Sequence, residues 1–245
     1  MVWHGGELST AEGRWGRPSE GWLDLSTGIN PVPYPVPPIP AEAWQRLPQY
    51  RRTDWLLEIA EEAYGASDDA WIVAAPGTQI LIQLLPRLRP RARVAILEPT
   101  YGEHAACWAV EGAAVTSIGS LDKAGTADVV VLVNPNNPDG RITARDSILG
   151  VADDLAKRGG LLVVDEAFAD VVPDVSVAAA AGRPGLLILR SFGKFFGLAG
   201  IRLGFALGAE AEILRLRQLL GPWAVPGPAI EIGRASCRER VCNDV

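Results

Sequence analysis

The chain has 245 residues, 48% of them hydrophobic, and a formal net charge of −6. That length suffices for one large globular domain, and an acidic balance without a basic stripe argues against a nucleic-acid partner. No apolar run approaches the ~18 residues of a membrane span, and the N-terminal Met-Val-Trp-His-Gly-Gly lacks a signal-peptide pattern, so no membrane partner and a cytoplasmic location are expected.

Residues 1–45 are rich in Gly and Pro, and the run Asn30-Pro-Val-Pro-Tyr-Pro-Val-Pro-Pro-Ile-Pro40 cannot form a helix or a central strand. This segment reads as an extended arm over a larger body, with Trp22, Leu23, Leu25 and Ile29 as apolar anchors. The larger body, residues 46–208, alternates two periods. Leu56, Ile59, Ala60 and Ala63 have helical spacing; Trp71–Ala75 reads as a strand; Leu81, Leu84, Leu85 and Leu88 mark a helix; 94–97 is a strand and 102–111 a helix. Residues 128–133 form a β-branched strand, followed by a helical repeat at Ile148, Leu149, Ala152, Leu155 and Ala156. Strands follow at Leu161–Asp165, 186–190 and 202–207. Apolar strands alternating with helices predict a three-layer α/β domain with a mostly parallel sheet, whose ligands bind at the carboxyl ends of strands.

Ile213, Leu216 and Leu220 open a last helix within 209–230, expected to hang free of the body with its apolar surface bare. From Glu231 the sequence shows no apolar period and resembles the translation of a sequencing-adapter oligonucleotide; residues 231–245 are expected to be read-through rather than native protein. Two of the three cysteines, Cys237 and Cys242, fall there; Cys107 is the third. An odd, irregular set argues against a disulfide framework, and His4 and His104 make no zinc-spaced cluster, so no metal is expected.

The chemistry concentrates in Leu189-Arg-Ser-Phe-Gly-Lys-Phe-Phe-Gly-Leu-Ala-Gly-Ile-Arg-Leu-Gly204. Lys194 sits just past a strand among aromatic and glycine residues, where lysine is rare. Desolvation or nearby cations make such an amine nucleophilic toward an aldehyde. Ser191 and Arg202 supply the hydroxyl and guanidinium that a phosphate monoester needs. Asp165, in Val163-Val-Asp-Glu-Ala-Phe168, ends a buried strand, where a carboxylate can hold the proton of a pyridinium nitrogen. Val133-Asn-Pro-Asn-Asn-Pro-Asp-Gly140 is a rigid turn, and an Asn in it can donate to a phenolic oxygen. Ala75-Pro-Gly-Thr-Gln79 lies between a strand and a helix, a place suited to phosphate. Tyr101, in Glu98-Pro-Thr-Tyr101, follows another strand, where its ring can stack on a flat ligand. Each residue alone has a bland explanation: a surface lysine, a strand-end carboxylate, a structural turn, a core tyrosine.

In this order, the motifs resemble those of fold-type I pyridoxal-5′-phosphate (PLP) enzymes of the class I/II aminotransferase superfamily, over residues 4 to 230. The resemblance implies PLP as cofactor, Lys194 as the lysine that bonds to it and Asp165 as the pyridinium partner. It implies Asn137 on the phenolic oxygen, Tyr101 on the ring, and Gly77, Thr78, Ser191 and Arg202 on the phosphate. It also implies a homodimer and a C-terminal small domain, here truncated, that carries an arginine for the substrate carboxylate. Relatives often have tyrosine at Phe168, and some have asparagine at Gly28. Two subfamilies compete: histidinol-phosphate aminotransferases, and threonine-phosphate decarboxylases of cobalamin synthesis. His4-Gly-Gly, Leu23-Asp-Leu-Ser-Thr-Gly-Ile-Asn-Pro31 and the Lys194 segment look like the decarboxylases. That likeness implies a phosphorylated amino acid, O-phospho-L-threonine, as substrate, with His4, Gly5, Gly28 and Asn137 as contacts and (R)-1-amino-2-propanol phosphate as product. Two rivals stand beside it. Ser191-Phe-Gly-Lys194 fits the Ser-x-x-Lys of penicillin-recognising enzymes, but their Ser-Asp-Asn and Lys-Thr-Gly are missing from the sequence. The other rival is a PLP-fold fragment that binds cofactor and catalyses nothing.

Overall fold

The computed structural model describes residues 4–243, with side chains described to residue 239. Seven strands form one sheet: β1 (Trp71–Ala75), β2 (Arg93–Leu97), β3 (Ala114–Ile118), β4 (Val129–Val133), β5 (Leu161–Asp165), β6 (Leu186–Ser191) and β7 (Gly204–Gly208). Their spatial order is β1-β7-β6-β5-β4-β2-β3, and only β7 runs antiparallel to its neighbours. The sheet is therefore mostly parallel, as the alternation of periods predicts.

Strand composition explains the two covered faces. In β4 every residue is buried, and alternate side chains enter opposite cores: Val130 and Leu132 on one face, Val129 and Val131 on the other. Helix α3 (Tyr50–Tyr64) puts Leu56 and Ala60 into the first core, and α6 (Arg145–Ala156) adds Ile148 and Leu155. Helices α4 (Thr78–Leu84) and α5 (Glu103–Val110) fill the second core with Leu81 and Trp108. A four-residue helix, α7 (Phe192–Phe195), carries Lys194 directly after β6. The edge strand β3 has no counterpart in the sequence reading. Its side chains are mostly exposed, so Ala-Val-Thr-Ser-Ile carries no apolar signature.

The arm differs from expectation in two ways. It contains two short helices, α1 (Leu8–Trp15) and α2 (Ala41–Gln45). Leu23 and Leu25 do not anchor it, being 82% and 83% exposed. Backbone hydrogen bonds hold it instead: Asn30 N–H donates to Lys194 C=O at 3.0 Å and Tyr34 N–H to Phe196 C=O at 2.8 Å. Asn30 Nδ2 also donates to Phe195 C=O at 2.9 Å. The polar stitching ties the arm to the loop that carries the lysine.

The expectation of a dangling helix after Gly208 is corrected. In α8 (Glu210–Leu220) Ile213 and Leu216 are fully buried in the core beside α4. Helix α9 (Gly227–Asn243) crosses Ile230 without a break and lies along α3. Ala229, Ile232, Ser236 and Cys237 are buried there, a helical period carried largely by small residues. Glu231 pairs with Arg52, and the Arg234 guanidinium lies 5.0 Å from the Trp55 ring centre. Of the segment 231–245, residues 244–245 lie outside the described residues. Among the described residues, no helix is long and apolar enough to cross a membrane.

Candidate active site

Sheet topology gathers the candidate residues at one edge. The parallel strands β5 and β6 end at Asp165 and Ser191, and the loops that follow β2 and β4 carry Tyr101 and Asn137 at the same edge. Because β7 is antiparallel, its beginning reaches the same edge. Gly204 stands between Ala75 of β1 and Ser191 of β6, which brings Arg202 and Thr78 alongside Ser191. The result is a cavity of about 190 Å³ lined by Thr78, Tyr101, Asn137, Asp165, Ser191, Lys194 and Arg202, with Gln79, Ile82, Val133, Ala167 and Phe168 completing its wall. Seven residues singled out from sequence thus share one cavity.

Four others do not line it. Gly77 lies just behind Arg202: its φ of +85° suits glycine, and a Cβ there would sit 2.5 Å from Arg202 Nη2. Gly77 therefore makes room for the guanidinium. His4 stands beside Tyr101 of the cavity wall, its ring edge-on to the tyrosine with centres 6.4 Å apart. Gly5 packs on the Ser26 backbone, and Gly28 faces the Phe168 ring.

The site's electrostatics follow from burial. Desolvation pushes the Lys194 amine below the usual lysine range; nearby Arg202 adds to the shift, and Asp165 opposes it. Asp165 is 3% exposed. Its Oδ1 accepts the Ala167 N–H at 3.0 Å, and its Oδ2 meets His104 Nε2 at 3.0 Å. His104 was not foreseen as a site residue. It lies in the first turn of α5, and no spacing in the sequence marks it as a partner of Asp165. Its Nδ1 is buried and has no hydrogen-bond partner among the described residues, so the ring's hydrogen bonding goes to Asp165.

The turn after β4 divides its asparagines between two tasks. Asn134 Oδ1 accepts the Thr143 N–H at 2.9 Å. Asn136 accepts from the Thr100 hydroxyl and donates to Pro99 C=O and Asp139. Both brace the turn, which leaves Asn137 to line the cavity.

An anionic, flat, aldehyde-bearing ligand fits these residues. The Thr78 hydroxyl is buried with no hydrogen-bond partner among the described residues and belongs to the cavity wall beside Ser191 and Arg202, so an acceptor-rich group would satisfy it. The desolvated amine and the buried carboxylate complete the donor set that PLP requires.

A buried ion cluster backs the site. Arg190, 1% exposed, donates to Glu166 at 2.7 Å and pairs with Asp170. Burial lowers its proton affinity, and Asp170 and Glu166 more than offset that, holding it above the usual arginine range. Arg190 precedes Ser191, and Glu166 follows Asp165, so this cluster clamps the two strand ends that carry site residues.

Comparison with known proteins agrees with the geometry. The model of the family "Aminotransferase class I and II" matches residues 51–240. The chain is 46% identical over 243 residues to a threonine-phosphate decarboxylase from Pseudomonas aeruginosa, spanning 98% of this chain and 72% of that one. It is 48% identical over 236 residues to a threonine-phosphate decarboxylase from Sinorhizobium, spanning 95% and 70%. Among solved structures, the histidinol-phosphate aminotransferase of Clostridium acetobutylicum superposes with a TM-score of 0.74 at 22% identity, covering 91% of this chain and 72% of that one. This last likeness concerns the fold.

Proposed function

The chain belongs to the aminotransferase class I and II family, and on that premise we propose that it is a PLP-dependent carboxy-lyase that removes the carboxylate of O-phospho-L-threonine. One observation carries the reading: Lys194, Asp165, Asn137, Ser191, Thr78 and Arg202 line one cavity in a chain 46–48% identical to two threonine-phosphate decarboxylases. The product would be (R)-1-amino-2-propanol phosphate.

When bound, PLP supplies an electrophilic carbonyl carbon and a ring that draws electrons from the bond broken at the substrate α-carbon. The chain's residues do the rest. Lys194 offers an amine whose neutral form is favoured by burial; it would hold the cofactor at its carbonyl carbon and is placed to carry a proton to the substrate α-carbon. Asp165, held at both oxygens, keeps a carboxylate fixed to retain a proton at the ring nitrogen. Thr78, Ser191 and Arg202 would hold the phosphate by two hydroxyls and a guanidinium. Asn137 would donate to the phenolic oxygen without help from residue 168, since Phe168 has no hydroxyl. Tyr101 would cover the ring, its hydroxyl fixed by donation to Gln79 Oε1 at 3.1 Å. A cytoplasmic homodimer is part of the same proposal.

The test uses the full chain with added PLP. A visible absorption band that Lys194→Ala abolishes is expected, followed by carbon dioxide release from O-phospho-L-threonine. A band with no carbon dioxide, but with amino transfer from glutamate to an imidazole phosphate ketone, would assign the chain to the aminotransferases. No band at all would overturn the cofactor.

A further inference from the structure

A carboxylate stands directly behind the cavity wall, bonded to Gln79 of that wall. Glu103 opens α5, and its side chain is only 15% exposed. Its two oxygens serve different elements. Oε2 accepts the Gln79 amide N–H at 2.8 Å, which turns Gln79 Oε1 toward the Tyr101 hydroxyl. The Cys107 thiol approaches the same oxygen at 3.8 Å. Oε1 lies 3.1 Å from His4 Nε2. One carboxylate thus joins the N-terminal arm to α4 and α5.

A bare negative charge here would repel a phosphorylated substrate. The arrangement makes sense if Glu103 acts through the imidazole. The hydrogen bond made by one ring nitrogen decides what the other can do. With Nε2–H given to Glu103, Nδ1 is the nitrogen left for a ligand, and it donates to an anion only when the ring carries both protons. A carboxylate on Nε2 is the counter-charge for that doubly protonated ring.

We propose that Glu103 is the positioning residue for His4, holding its imidazole beside the cavity wall with Nδ1–H presented to the substrate's phosphate. The proposal rests on the reading that the substrate carries a phosphate. The bland alternative is that Glu103 merely complements the start of α5.

These two readings predict opposite signs. If Glu103 is only a nearby negative charge, Glu103→Gln removes repulsion and tightens anion binding. If it positions His4, Glu103→Gln weakens anion binding, because the ring loses its charge-assisted partner, an effect of about tenfold. The decisive measurement is calorimetric titration of inorganic phosphate into the PLP-loaded full chain, where the cofactor's own phosphate already fills the inner cradle. Parent, Glu103→Gln, His4→Ala and the double variant are compared. Expected is a roughly tenfold loss in Glu103→Gln and no further loss when it is added to His4→Ala. In turnover, Glu103→Gln raises KM for O-phospho-L-threonine by a similar factor while kcat stays within about twofold.

Phosphate binding that is unchanged or tighter in Glu103→Gln overturns the proposal, as does an equal loss with and without His4. Phosphate binding that depends on both residues, in a protein that releases no carbon dioxide, upholds the proposal and sinks the substrate assignment instead.

Discussion

Replacing Arg190 with methionine tests the buried cluster behind the site. The side chain is 1% exposed and faces two carboxylates, with Glu166 at 2.7 Å and Asp170 in direct contact. The guanidinium also lies 4.4 Å from the Tyr64 ring centre. Methionine fills similar space but leaves Glu166 and Asp170 without their counter-charge. Glu166 keeps the Ser176 hydroxyl at 2.6 Å and the Val177 N–H at 2.7 Å, so its loss is partial. Breaking a buried pair from one side costs about 3–5 kcal/mol. For a domain of this size that lowers Tm by roughly 6–20 °C. Thermal unfolding followed by circular dichroism reads the shift. Adding Glu166→Gln and Asp170→Asn to Arg190→Met removes the uncompensated charges and should recover part of the loss. Arg190→Lys should fall between, because one ammonium cannot reproduce the guanidinium fork on two carboxylates. A melting point for Arg190→Met within about 2 °C of the parent, below 1 kcal/mol on the same scale, would refute the clamp.

Three further outcomes follow from the site itself. Because burial lowers the Lys194 pKa, the unfolded chain binds more protons than the native one between the lowered value and 10.5, so stability gained from this group rises with pH across that window. The same shift makes Lys194 react with PLP at lower pH than an ordinary lysine; borohydride trapping across a pH series, located by peptide mapping, should show a midpoint below 10.5, and a midpoint at or above it would contradict the desolvation. His104→Leu removes a hydrogen bond to a buried carboxylate, of about 1.5–3 kcal/mol, and with it an unpartnered ring nitrogen. We expect PLP affinity to fall about tenfold while Tm changes little, and an unchanged PLP dissociation constant would reduce His104 to a packing residue.

Much of this site was legible because it is built from strand ends. A strand followed by a polar residue places that residue at the sheet edge whatever the surrounding detail, which is how Tyr101, Asn137, Asp165 and Ser191 could be found together. Residues that act through others were not legible. His104 and Glu103 lie on α5, and nothing in their spacing shows that one reaches Asp165 and the other His4. Local periodicity also failed where burial is carried by small side chains. In α9, Ala229, Gly233, Ser236 and Cys237 follow helical spacing, yet their hydrophobicity is too low for a period to show. The exposed β3 failed for the opposite reason, as an edge strand with little to bury. Leu23 and Leu25 misled because hydrophobicity alone does not make an anchor; the arm is held by its backbone.

The two departures from the family pattern, Phe168 and Gly28, belong together. A Cβ at residue 28 would sit 2.8 Å from Phe168 Cε1 and 2.9 Å from Cζ. The ring therefore lies flush against the arm's backbone, and residue 28 can be only glycine while the ring keeps this position. A tyrosine hydroxyl would extend from Cζ, one of the two atoms that a Cβ at residue 28 would meet, so the missing hydroxyl and the missing side chain share one packing surface. The Lys194 amine lies 5.6 Å from the centre of the same ring. The ring is thus one wall of the pocket that buries the amine, and burial as a whole lowers the amine's pKa. Phe168 and Gly28 together seat the arm closely on the body beside the loop that carries Lys194.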